Sequence, residues 1–117
     1  MEMPMMSTMK TTTDILNGRT RRPTHPGEIL REDVLPALGI TQGEFAKALG
    51  VSRRTINEIL NEKRPITVDM AFRLGKVLGN GHNLWLKMQL AVDVWDNLQE
   101  HKDDYQLLQT LPKTNAA

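Results

Sequence analysis

The sequence predicts an all-α fold, a bundle of five helices whose last member also serves to pair two copies of the chain. Three observations carry that prediction. Apolar residues recur at helical spacing from Leu30 to Leu98, and no stretch alternates with strand period over a useful length. Helix-start residues precede the apolar runs and glycines follow them, with Thr41, Ser52 and Thr67 on one side and Gly39, Gly50 and Gly79 on the other. The chain has 117 residues, 39% of them hydrophobic, which suits one domain with one core.

Residues 1–24 contain five Met, six Thr and two Pro, with little apolar material besides Ile15 and Leu16. Such a stretch buries too little surface to offset its ordering entropy, so a flexible N-terminal arm is expected. Arg19, Arg21 and Arg22 make it locally basic; a solvated tail is favoured over an arm that grips phosphates. The opening residues lack the continuous apolar region and cleavage pattern of a secretory signal, and no run approaches a membrane span. A cytoplasmic protein is the simplest expectation.

Residues 25–79 read as the main domain. Leu30, Val34 and Leu38 share a helical face, but Pro36 interrupts the run. Proline disfavours helical geometry in the residue before it, so the first helix is expected to end near Val34 or Leu35. Thr41 with Glu44 forms a capping box for the second helix, which buries Phe45, Ala46 and Leu49 and stops at Gly50. Ser52 caps the third helix, with Ile56, Ile59 and Leu60 at core spacing, and Pro65 blocks any continuation. Thr67 caps the fourth, whose expected apolar stripe is Val68, Ala71, Phe72, Gly75 and Leu78.

Residues 80–100 read as a fifth helix running from about His82. Leu84, Met88, Ala91, Trp95 and Leu98 form one seam on it, and Leu86, Leu90 and Val94 a second stripe. One face covers the bundle; the other calls for a partner, since a lone chain would expose it. Met88, Ala91, Trp95 and Leu98 are therefore the expected homodimer contacts, with Trp85 assigned to the core. Residues 101–117 are expected to be a polar tail.

Two short helices joined by a turn of about four residues around a glycine describe a helix-turn-helix. Ala46 is small where the helices cross, Gly50 permits the abrupt reversal, and Val51 and Ile56 close the angle with apolar contact. At about 100° per residue, Arg54, Asn57, Glu58 and Asn61 gather opposite the apolar face, with Arg53 at the edge. In such motifs this helix enters the major groove of double-stranded DNA, where Arg bridges guanine and Asn pairs with adenine. Glu58 either accepts from cytosine or pairs with Arg54 one turn back, the pairing being favoured. Gln42, Lys63, Arg64 and the capped N-terminus at Thr67 are candidate phosphate contacts; Ser52 and Thr55, at the start of the third helix, are further candidate DNA contacts.

No cysteine is present, which excludes disulfides and thiolate metal sites. His25, His82 and His101 are scattered and read as loop and surface residues, and Asp103 and Asp104 as a solvated tail. No phosphate loop, nucleophile elbow or zinc-protease motif occurs, so neither a cofactor nor an enzymatic activity is expected. The net charge of +1 hides segregation: 13 basic and 9 acidic side chains precede residue 93, against 2 and 5 from there on. A modestly basic DNA face balanced by an acidic C-terminal end is the reading that follows.

The stretch from RRPTHPGEIL through SRRTINEILNEKRPIT to NLWLKMQ resembles the HigA/VapI-type antitoxins, within the phage-repressor-like helix-turn-helix superfamily. The resemblance spans about residues 21–98. It implies an antitoxin that neutralises a small ribosome-dependent mRNA-cleaving toxin of the HigB type and represses the operon they share. A stand-alone repressor without a toxin, or a helix-turn-helix serving only protein contacts, are the alternatives. This chain departs from the family's pattern at three places. Glu62 follows Asn61 where the family usually has glycine, and a left-handed Glu is strained, so Asn61 is expected to take that conformation. Gly81 and His82 replace a firmer start to the last helix, which is expected to begin loosely. The arm before Arg21 is longer than usual.

Overall fold

The computed structural model describes residues 21–112, and within them five helices and no strand. Residues 1–20 of the expected 1–24 arm, and the end of the tail, lie outside the described residues.

Helix α1 is a continuous helical run in three pieces: an α-turn Pro26–Ile29, a π-turn Leu30–Val34 and an α-turn Leu35–Leu38. The expected end near Val34 is therefore corrected. A proline in a regular helix clashes with the carbonyl four residues back and leaves it without a donor. The wider π-turn, in which Leu35 N–H donates to Leu30 O, places Pro36 in the first turn of a new α-segment, where no N–H is needed. The extra residue also rotates the face. Leu30 and Leu35, five apart, are buried, whereas Leu38 is exposed, so the predicted stripe of Leu30, Val34 and Leu38 is only partly realised. Gly39 closes the helix with φ of 66°.

His25 begins α1 and corrects its assignment as a surface residue. It is buried, and its Nδ1 accepts from Gly27 N–H at 2.9 Å as the helix N-cap. Burial holds its pKa below the ordinary histidine value, and the neutral ring is the form whose Nδ1 can accept.

Helix α2 (Gln42–Leu49) starts on the capping box: Glu44 N–H donates to Thr41 Oγ1 at 3.1 Å and Thr41 N–H to Glu44 Oε1 at 2.8 Å. Helix α3 (Arg53–Leu60) starts on Ser52, whose Oγ accepts from Thr55 N–H at 3.0 Å. Helix α4 (Val68–Leu78) starts on Thr67, whose hydroxyl accepts from Met70 N–H. Its buried stripe is Met70, Ala71, Leu74 and Gly75. Val68 and Phe72 are exposed, which corrects the expected stripe by about one position; Phe72 instead stacks on His82, ring centroids 4.1 Å apart.

Helix α5 (Asn83–Gln106) continues past the expected end near Glu100. No side-chain hydrogen bond caps its start at His82, whose ring stacks on Phe72. Its core-facing residues are Trp85, Gln89 and Val92, a stripe lying between the two that periodicity picked out. Trp85 is 1% exposed and belongs to the core as expected, whereas Leu84 and Leu90 face outward. The first half of α5 thus packs on the bundle through Trp85, Gln89 and Val92.

The core joins Leu30 and Leu35 of α1, Phe45, Ala46 and Leu49 of α2, and Ile56, Ile59 and Leu60 of α3 to Ile66, α4 and Trp85. Burying these side chains is worth roughly 1.5–3 kcal/mol apiece for the larger ones. Gly27 marks the tightest approach: a Cβ built there would lie 1.9 Å from Ile59 O, so α1 rests directly on the backbone of α3.

Candidate nucleic-acid interface

The angle between α2 and α3 is fixed from below and behind. Gly50, at φ of 72°, ends α2, and Val51 N–H returns to Ala46 O at 3.0 Å. Arg73 of α4 donates to Leu49 O at 2.9 Å, adding a cation at the C-terminal end of α2. With Ile56, Ile59 and Leu60 buried, the opposite side of α3 faces solvent.

That outer side forms two linked groups. In the first, Asn57 Nδ2 donates to Gln42 Oε1 at 3.2 Å, and Asn61 Nδ2 to Asn57 O at 2.9 Å and Oδ1 at 3.3 Å. The start of α2 and the length of α3 thereby share one amide ladder. In the second, Glu58 sits between two guanidiniums. Arg54 Nε donates to its Oε2 at 3.1 Å, and Arg64 donates to its Oε1 from Nε at 2.9 Å and Nη2 at 2.6 Å. Arg64, then Arg54, hold the Glu58 carboxyl below the usual carboxylate range. The favoured Arg54–Glu58 pairing is present, with Arg64 as an additional partner.

Arg53 and Lys63 are exposed on either side of these groups. The hydroxyls of Ser52 and Thr55 lie 2.9 Å apart, and Thr67 stands apart at the start of α4 with its oxygen engaged by Met70 N–H. Of the predicted residues, Gln42, Asn57 and Asn61 form one bonded group, Arg54, Glu58 and Arg64 a second, and Ser52 with Thr55 a pair; Arg53, Lys63 and Thr67 join none of these.

The chain leaves α3 through a reversal that the sequence reading placed one residue early. Glu62 takes the left-handed conformation at φ of 61°, while Asn61 lies at φ of −91°. Lys63 N–H bonds Glu58 O at 2.8 Å and Glu62 N–H bonds Ile59 O at 3.0 Å, the paired bonds of a Schellman ending. This turn swings Arg64 back over α3 toward Glu58. A left-handed Glu costs roughly 1–2 kcal/mol. Its carboxylate offsets part of that by meeting Arg31 at 3.4 Å and Arg22 at 3.6 Å.

Four residues support α3 from outside it, and no local sequence pattern assigns any of them that role. Arg31 Nη1 donates to Leu60 O at 2.6 Å and so caps α3. Arg22 pairs in a fork with Asp96, at 2.8 and 2.7 Å, as well as reaching Glu62. It is thus tied to the body of the domain while its side chain stays exposed. Gln89, buried in α5, accepts from Ile66 N–H at 2.8 Å and donates to Asp93, anchoring the loop after α3. Glu62 is the fourth. Apart from the Gln89–Asp93 bond, which is one helical turn long, the partners named are 23 to 74 residues away, beyond any local spacing rule.

No group of three or more His, Asp or Glu side chains among the described residues is placed to hold a metal ion. No helix among them is long and apolar enough to cross a membrane.

Comparison with known proteins agrees with this geometry. A helix-turn-helix family model matches residues 30–85. Virulence-associated protein I of Dichelobacter nodosus is 47% identical over 78 residues, covering 66% of this chain and 72% of that one. Antitoxin HigA-1 of Vibrio cholerae is 35% identical over 91 residues, 78% of this chain and 86% of the relative. Among solved structures, the Pseudomonas aeruginosa antitoxin HigA, determined with the higBA promoter, superposes with a TM-score of 0.73 at 34% identity, covering 78% of this chain and all of that one. A matching helix-turn-helix, relatives aligned over most of their length, and a shared fold lead to one conclusion: the chain belongs to the HigA/VapI-type antitoxin family of helix-turn-helix proteins.

Proposed function

We propose that this chain is the antitoxin of a two-gene module: it binds the operator of its own operon as a homodimer and neutralises a small mRNA-cleaving toxin encoded beside it. Its task in the cytoplasm is binding, without catalysis. One observation carries the DNA-binding half: a rigidly held α3 presents Arg54, Asn57 and Asn61 outward, with Arg54 85% exposed, next to basic residues at both ends. Arg54 and Asn57 read base edges, Asn61 and Gln42 extend that surface, and Arg53, Lys63 and Arg64 meet phosphates together with Ser52, Thr55 and Thr67. Met88, Ala91, Trp95 and Leu98, all half-buried beside the core stripe of α5, supply the contacts between copies. The structure of a HigA antitoxin with its promoter, and the antitoxin names of relatives, support the two halves of this reading.

The test is direct. Full-length protein shifts a duplex carrying the DNA upstream of its own gene, and co-expression rescues growth arrested by the neighbouring reading frame. Binding without rescue would leave a repressor with no toxin partner. Rescue without binding would contradict the DNA half.

A further inference from the structure

The outer face of α3 contains an acidic residue where an approaching duplex brings phosphates, and that residue is held between two arginines. A carboxylate there weakens binding to any DNA, so its presence calls for a function. The bond from Arg54 to Glu58 uses Nε, which leaves the Nη1 and Nη2 end of the guanidinium unengaged among the described residues. That end can still fork onto a guanine edge. Arg64 gives Nε and Nη2 to the other carboxylate oxygen, and Nη1 remains available for a phosphate. Arg64 reaches this place only because Glu62 turns the chain back, held by Arg31 and Arg22.

The geometry points to Glu58 as the specificity-setting positioning residue of the DNA interface. Its carboxylate holds Arg54 in a base-reading pose and Arg64 in a phosphate-facing pose, and by partly neutralising both it weakens attraction to duplexes that do not engage both. The inference rests on the DNA-binding reading. Two flexible arginines free to wander would each lose rotamer freedom on binding; arginines already held lose less. Because each carboxylate oxygen already holds a guanidinium, a misfitting duplex finds both arginines partly neutralised and gains little from them, whereas the operator engages the free ends of both. Glu58 thus acts through its neighbours and needs no base of its own.

Fluorescence anisotropy with full-length protein, on its own upstream duplex and on a scrambled duplex of equal length, tests this. Glu58→Gln keeps the shape and one acceptor while removing the charge. The expected result is tighter binding to the scrambled duplex, weaker or unchanged binding to the operator, and a specificity ratio lower by about threefold to tenfold. Arg54→Ala is expected to cost less operator affinity in the Glu58→Gln background than in the wild type, since the two act as a unit. Glu58→Asp, too short to span both arginines, serves as a second variant and is expected to lower the ratio while retaining the charge. Equal gains on both duplexes with additive Arg54 effects would overturn the proposal, leaving Glu58 as a plain repulsive charge. Loss of discrimination at a single cytosine, again with additive effects, would overturn it in favour of direct readout. Failure of the wild type to prefer its operator would instead refute the DNA-binding reading on which the inference stands.

Discussion

Gly27→Ala tests the packing that aims α3. A Cβ at this position would lie 1.9 Å from Ile59 O, 3.0 Å from Ile59 C and 3.1 Å from the capping His25 Nδ1. Ordinary contact begins at 3.4 Å, so α1 and α3 would have to part by about 1.5 Å, the difference between that distance and the 1.9 Å approach. The obstructing atoms are backbone, which has no rotamer to change. Overpacking typically costs about 1–3 kcal/mol, and this site belongs at the upper end. At about 4–8 °C per kcal/mol for a domain of this size, the melting midpoint should fall by roughly 12–24 °C. Gly43→Ala is the matched control: its nearest neighbour is Thr41 Oγ1 at 3.9 Å, so it should be neutral or stabilising by up to about 1 kcal/mol. Thermal unfolding followed by circular dichroism reads both. Equal midpoints for Gly27→Ala and the wild type would refute the claim that α1 rests on the α3 backbone.

Three further outcomes follow from supporting residues. Glu62→Gly and Glu62→Ala lose the same carboxylate, so their difference isolates the left-handed conformation; the glycine variant should be more stable by about 1 kcal/mol in urea unfolding, and equality would remove the strain. Gln89→Leu leaves the buried Ile66 N–H without its acceptor and should cost about 1–3 kcal/mol, with faster amide exchange at Ile66; unchanged exchange would show that the anchor is unimportant. Because His25 has a lowered pKa in the folded state, the unfolded chain takes up the proton first, so its contribution is full above about pH 6.5 and declines as pH falls below that value. Between pH 7.5 and 5.5 the wild type should lose stability that His25→Ser, which can cap without titrating, retains; parallel curves would exclude the histidine.

The helix-turn-helix was legible because its determinants are local. Caps lie three residues from the N–H groups they satisfy, and Gly50 sits where the chain reverses. Other features depend on partners far along the chain. Pro36 looked like a helix end, but a π-turn accommodates it, and no spacing rule separates those outcomes. Residue-type preference put the left-handed turn at Asn61; Glu62 takes it, with carboxylate partners at Arg31 and Arg22. On α5, periodicity found two apolar stripes, yet the core stripe runs through Gln89, a polar residue whose burial depends on Ile66 N–H. The outward-facing residues of α3 were found by the helical wheel, whereas Arg64 joined Glu58 only through that same left-handed turn.

The central claim, that α3 reads operator bases, is tested most directly by scanning the operator with single base-pair changes against wild type and Arg54→Ala. The wild type should show a guanine whose replacement costs about 1–3 kcal/mol, and Arg54→Ala should bind more weakly by a similar amount while becoming indifferent at that position alone. Identical base preferences for the two proteins would contradict the account.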